Sequence, residues 1–216
     1  MHSSPVTKKE IRSLVRDHFR VLTPEERDER SARACKSLYE RFLRDRQGES
    51  VGLFMSMKSE VQTSTLIRTL REEGSRRLLV PRCDDGETIR FYPMGDISGY
   101  ELSGYGIPEP TCPIEDEEVP ELLVVPGVAF GRLDGSRVGH GVGYYDRYLA
   151  KHASELRLVV GLGLEFQIFD TVPTDPHDFP LQGLAWEDEA VLLGAAWKEV
   201  RTSDLTNIGI SEIYNR

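Results

Sequence analysis

Apolar positions recur at helical spacing near the start of the chain and then close up into short continuous runs, a change of period that predicts helices first and buried strands after them. Ile11, Leu14, Val15, His18 and Leu22 fall on one helical face. Thr23-Pro24-Glu25-Glu26 restarts the pattern: Thr23 caps, Pro24 is tolerated at the first helical position, and Glu26 completes a capping box. A second helix is therefore predicted to about Gln47, with Ala34, Leu38 and Phe42 turned inward. Its Arg27, Arg30, Arg33, Arg41 and Arg44 interleave with acidic residues and read as a solvated face. Val51 to Met55 reads as a strand, the helical pattern through Leu66, Ile67 and Leu70 stops at Gly74, and Arg77 to Pro81 supplies the next strand. This βαβ order predicts a parallel pair with a right-handed crossover. Ile89 to Tyr92 follows as a hairpin partner across Cys83-Asp84-Asp85-Gly86, and Gly95 to Pro113 reads as a long irregular stretch. Further on, Leu158 to Leu162 reads as a strand and Glu165 to Ile168 as a helical turn.

The densest chemistry lies in Leu122 to Ala150, LLVVPGVAFGRLDGSRVGHGVGYYDRYLA. Leu122 to Val125 suits a strand buried on both faces, and Pro126-Gly127 stops it. Gly139, Gly141 and Gly143 then alternate with His140 and Val142, after which Tyr144, Tyr145, Tyr148 and Leu149 fall at helical spacing. A glycine loop ending at a helix N-terminus offers free N–H groups and a positive dipole end to a phosphate. The spacing is neither the dinucleotide fingerprint nor the P-loop, and taken alone it fits a ligand-free turn equally well. Arg137 before the glycines and Asp146-Arg147 after them tilt the reading toward an anion site. Asp146 reads either as a partner of the helix dipole or as a metal carboxylate.

With 216 residues the chain suits one domain able to bury a core without staples. Its formal charge of −9 argues against a nucleic-acid or anionic-membrane binder, so a phosphate would depend on local cations. Cys35, Cys83 and Cys112 show no C-x-x-C spacing, indicating neither a zinc site nor a disulfide framework. No apolar stretch is long enough to span a membrane, the start lacks the apolar core of a signal peptide, and a cytoplasmic location is expected.

The run R-V-G-H-G-V-G-Y-Y-D, preceded by P-G-V-A-F, resembles the signature of the 5-formyltetrahydrofolate cyclo-ligase family, and the likeness extends over roughly residues 8 to 188. It implies a three-layer α/β/α fold, Rossmann-like, with a mostly parallel central sheet and an N-terminal helical pair. It also implies ATP- and magnesium-dependent closure of 5-formyltetrahydrofolate to 5,10-methenyltetrahydrofolate, with ADP and phosphate released. ATP and 5-formyltetrahydrofolate are the implied partners, with no nucleic acid and no membrane, and a monomer or homodimer is the expected assembly.

Residue by residue, the resemblance assigns ATP to Lys8 and Arg12 on the first helix and to the loop Arg137, Val138, Gly139, His140, Gly141, Val142, Gly143, Tyr144 and Tyr145. Read alone, Lys8 and Arg12 are surface cations four residues apart. The reduced pterin falls to Met55, Glu60, Tyr105, His140 and Tyr144, magnesium to Asp146 and Asp178, and catalysis to Arg137 and His140. Three departures stand out: Gln62 where the family often has an acid, Gln182 where many members have Asp, and His140 and Val142 where relatives carry other residues. The loop is therefore expected to draw transition-state charge from Arg137, Arg132 or Arg147. The segment from about Ser203, a tail or added helix, matches nothing in the family. A binding relative without catalysis, and a sugar-phosphate isomerase or acyl-transfer enzyme of related fold, remain the alternatives, since fold does not fix function.

Overall fold

In the computed structural model the described residues are 7–84, 86–95, 99–104 and 106–193. Helix α1 (Lys8–Val21) starts on a capping box between Thr7 and Glu10, and α2 (Pro24–Leu38) on the predicted box between Thr23 and Glu26. The second helix does not run on as α-helix: Tyr39–Leu43 widens into a π turn in which Arg44 N–H donates to the Tyr39 carbonyl. Strand β1 (Val51–Gly52), helix α3 (Ser64–Glu73) and strand β2 (Leu78–Cys83) form the predicted unit, with Gly74 in the left-handed region ending α3. β3 (Ile89–Pro93) pairs antiparallel with β2.

The stretch read as irregular contains a small antiparallel hairpin, β4 (Tyr100–Leu102) with β5 (Pro108–Pro110). After β6 (Leu122–Val125) come β7 (Ala129–Gly131) and β8 (Arg137–Val138), then α4 (Tyr144–His152), β9 (Leu158–Leu162) and β10 (Ile168–Phe169). β11 (Gly183–Trp186) and β12 (Glu189–Leu192) close the described chain in a hairpin. The segment beyond Ser203 lies outside the described residues.

The main sheet has the order β12-β11-β9-β6-β1-β2-β3, with antiparallel strands only at its edges. In chain order the five parallel strands lie 2-1-3-4-5, so the winding reverses between β1 and β6. Sheets of this order bind ligands outside the carboxyl ends of the strands at that reversal. Burial alternates as a sheet covered on both faces requires. Leu122 and Val124 pack with Leu38, Leu66 and Leu70 of α2 and α3, while Leu123 and Val125 pack with Tyr148 and Leu149 of α4. The two N-terminal helices part company: α2 lies against β11, and α1 rests on the small β10-β7-β8 sheet through Ile11 and Val15. Leu14, assigned to the inner face, is 48% exposed because that small sheet offers α1 a narrow footprint.

Candidate active site

At the reversal, the segments leaving β1 and β6 open apart. β6 ends at Pro126, and the chain must turn so tightly at Gly127 that a Cβ there would meet the Phe130 ring at 2.7 Å. Gln167, buried, donates to the carbonyls of Gly127 at 2.8 Å and Val128 at 3.1 Å and fixes this turn. β8 then delivers Arg137 from the opposite side. Its guanidinium, almost fully buried, donates to Asp146 at 2.7 Å and to the Pro126 carbonyl at 3.3 Å, and lies over the Tyr145 ring. Its buried Nε has no hydrogen-bond partner among the described residues. A buried donor left open in this way is suited to an anionic ligand.

The glycine loop crosses above Arg137. Gly141 has φ +113° and Gly143 φ +78°, and Gly143 in the left-handed region caps α4, directing the first N–H groups of that helix back toward the loop. From α1, Arg12 donates to the Gly139 carbonyl at 2.8 Å. Lys8 ion-pairs with both Asp175, at 2.7 Å, and Asp178. Burial pulls the Lys8 ammonium pKa down, but the two carboxylates outweigh it and the net shift is upward; the same hydrogen bond holds Asp175 below its ordinary value.

These groups line one cleft of about 570 Å³. It brings together Lys8, Arg12, Arg137, Gly139 to Gly143, Tyr144, Tyr145, Asp146 and Asp178. Asp146 and Asp178 meet through their neighbours, since Phe179 N–H donates to Asp146 at 3.4 Å. Asp175, His177 and Asp178 each offer a ligand atom within 4.8 Å of the others. Val138 does not line the cleft: it is buried in β8 opposite Ala129, and its carbonyl accepts from Val128. Of the cations proposed to aid Arg137, neither of the other two lines the cleft. Arg132 pairs with Asp170, and Arg147 donates to the carbonyls of Val142 and Glu87.

A smaller cavity adjoins the cleft and shares Ile107, Pro126, Tyr144 and Tyr145 with it. Met55 and Glu60 line this second space, together with Phe54, Arg82, Cys83 and Glu109. Glu60 is 4% exposed; it accepts from Met57 N–H at 2.8 Å and meets His140 Nε2 at 3.2 Å. Gln62, where an acid was looked for, donates to the carbonyls of Met57 and Glu60 and staples the loop that carries Glu60. Gln182, the other departure, is spent on the backbone of Val159 at the foot of the sheet. Burial drives the Tyr145 phenol far above its usual range, so it stays protonated between the two spaces, and burial also raises the Glu109 carboxyl. Tyr105 lies outside the described residues. Met57, Ile107, Pro126, Asp175 and His177 line the cleft without having been singled out for it. Of these, Pro126 stands in the P-G-V-A-F run and Asp175 three residues before Asp178 in the same turn.

A profile of the 5-formyltetrahydrofolate cyclo-ligase family matches residues 5–186. The 5-formyltetrahydrofolate cyclo-ligase of Saccharomyces cerevisiae is 31% identical over 163 residues, covering 65% of this chain and 77% of the yeast protein. That of Escherichia coli is 27% identical over 179 residues, covering 78% of this chain and 93% of its own. The solved structure of the Aquifex aeolicus 5,10-methenyltetrahydrofolate synthetase superposes with a TM-score of 0.71 at 29% identity, covering 91% of this chain and 97% of that one.

Proposed function

The chain belongs to the 5-formyltetrahydrofolate cyclo-ligase family, and from that premise we propose that its larger cleft takes ATP while the smaller cavity takes the reduced pterin of 5-formyltetrahydrofolate. The observation that carries this reading is the junction of the two spaces, where Tyr144, Tyr145 and Pro126 serve both and His140 touches Glu60. A nucleotide and a folate seated there would meet at the glycine loop.

The chemistry needs little from the protein beyond position and charge. A formamide oxygen is a poor leaving group. Transfer of the γ-phosphoryl group of ATP to that oxygen makes it a good one; N10 then attacks the formyl carbon, phosphate departs with the oxygen, and the N10 proton is lost. Substrate supplies both nucleophiles, so no reactive Ser or Cys is required. Arg137, with an open Nε, and the loop N–H groups from Gly139 to Gly143 stabilise the phosphoryl charge, as in phosphoryl transfer generally. Lys8 and Arg12 close over the nucleotide from α1. Glu60 and Met55 hold the pterin, with Tyr105 assigned there by the family resemblance, and His140 bridges the two ligands. The carboxylates of Asp146 and Asp178 are hard oxygen donors on one cleft, and magnesium held there would neutralise phosphate charge. Three free cysteines support a reducing setting, and a cytoplasmic location is part of this reading.

The test is absorbance in the methenyl-folate band with protein, 5-formyltetrahydrofolate and magnesium, with and without ATP. An ATP-dependent rise is expected. Its absence with folded protein and intact substrate would sink the reading.

A further inference from the structure

Ring closure sheds a proton. N10 attacks the formyl carbon still carrying its hydrogen, and in the methenyl product that nitrogen carries none, so a group at the junction of the two spaces has to accept it. Asp146 is paired with Arg137, and Asp175 and Asp178 with Lys8. Glu60 and His140 stand at the junction itself. Their contact has a direction. Both oxygens of the buried Glu60 are engaged, Oε2 accepting from Met57 N–H and Oε1 meeting His140 Nε2. An ionised carboxylate only accepts, so Nε2 carries the imidazole hydrogen and Nδ1 the lone pair. Among the described residues Nδ1 makes no hydrogen bond. The His140 side chain is 39% exposed on the nucleotide cleft, so both substrate and water reach the ring. An imidazole oriented by a buried carboxylate is suited to taking a proton in a transition state.

We propose that His140 Nδ1 takes the N10 proton as the ring closes, with Glu60 orienting the imidazole and balancing the charge it gains. The inference rests on the placement of ATP and pterin proposed above. In this step the N10 lone pair forms the bond to the formyl carbon. The bond from that carbon to the phosphorylated oxygen breaks, its electron pair leaving with phosphate. The N10 hydrogen passes to Nδ1 and then to water at the exposed edge of the ring. Other charged and titratable groups face this stretch from three elements. Arg12 of α1 donates to the preceding Gly139 carbonyl, Arg137 of β8 lies against Gly139, and Tyr145 of α4 stands beside Glu60. The two guanidiniums keep their charge and Tyr145 its proton, so Glu60 is the neighbour whose charge offsets the imidazolium. His140 is also one of the loop's departures, which makes the role a property of this chain's own sequence.

The test follows methenyl-folate absorbance in a single turnover, with the full chain in excess over 5-formyltetrahydrofolate and with saturating ATP and magnesium, between about pH 5 and pH 8. The wild-type rate should fall toward acid as the imidazole fills with a solvent proton. His140→Gln should lose about 100-fold in rate and flatten that limb, and Glu60→Gln, which no longer fixes the ring, should lose about 10-fold. Binding of 5-formyltetrahydrofolate by His140→Gln without ATP separates lost chemistry from a lost fold. Free imidazole should restore rate to His140→Gly in proportion to its unprotonated form, which a merely structural histidine would not allow. A wild-type rate flat with pH, or an acid limb unchanged in His140→Gln, overturns the proposal and leaves the reaction standing. Absence of ATP-dependent turnover in the wild type overturns the reading of the cleft, and this role with it.

Discussion

His140 Nε2 stands 3.2 Å from Glu60 Oε1, so the glycine loop that follows β8 touches the carboxylate on the loop that follows β1. Elements 80 residues apart in sequence thus share one contact at the reversal of the sheet. Glu60→Gln keeps the shape and removes the charge. It should raise the KM for 5-formyltetrahydrofolate about 10-fold, the loss of one charge-assisted hydrogen bond, and leave the KM for ATP nearly unchanged. His140→Ala should move both constants, because His140 lines the nucleotide cleft and touches Glu60; equal effects of the two substitutions on both constants would remove the bridge.

Arg137 is a buried cation whose partners are Asp146, the Pro126 carbonyl and the Tyr145 ring. Arg137→Ala strands Asp146, so it should cost about 3–5 kcal/mol of stability as well as about 100- to 1000-fold in kcat. Its effect on the fold distinguishes it from a surface binding residue. Arg137→Lys should restore most of the stability and little of the rate, since an ammonium cannot make the same fork of contacts. Thermal unfolding beside kcat checks both statements.

Lys8 holds Asp175 and Asp178 together. The raised Lys8 pKa makes its contribution fully present below the ordinary 10.5 and lost as pH rises through the higher folded value. The lowered Asp175 pKa makes its contribution present above the ordinary 3.8 and lost as pH falls through the lower folded value. Lys8→Met should therefore differ in stability from wild type at neutral pH, and the difference should vanish in strong acid. The same substitution frees two carboxylates, so Mn2+ without nucleotide should bind the variant more tightly than the wild type while the KM for ATP rises. Unchanged Mn2+ affinity would mean that the lysine does not guard these carboxylates.

Gly141 has φ +113°, and a Cβ there would come no closer than 3.9 Å to Arg12. Space is available, and only the backbone conformation forbids a side chain. Gly141→Ala should distort the loop locally and raise the KM for ATP about 10-fold, with little change in the melting temperature. A fall in melting temperature with normal ATP affinity would refute this.

The strong periods in the sequence were legible because burial wrote them. Leu122 to Val125 is apolar at every position since helices cover both faces of β6, and the threonine caps need only local chemistry. The hairpins of β4 with β5 and β7 with β8 were not. Pro108-Glu109-Pro110 opposes strand propensity, and it pairs because Arg82 donates to the Pro110 and Cys112 carbonyls and holds that segment against β2. β12 escaped notice because its turn places Asp188, not Gly, at φ +62°. In the site, the glycine loop announced itself, while Lys8 and Arg12 looked like any exposed pair on a helix and owed their assignment to the family resemblance. Asp175 went unassigned because its partner, Lys8, lies 167 residues away.

Helix α1 rests on a small apolar cluster of its own, Ile11 and Val15 with Val128, Ala129, Val138 and Val172, separate from the two that flank the main sheet. Two of the cations assigned to ATP therefore ride on a helix whose fully buried residues, Ile11 and Val15, lie in that cluster. Undocking α1 and losing grip on the nucleotide become one event, and their free energies are linked. Trimming Val172, which touches no ligand in the arrangement described, would surface in a kinetic screen as a nucleotide-affinity variant, and saturating ATP would mask it. Alleles of that kind would pass as normal in a well-fed cell and fail when adenylate charge drops.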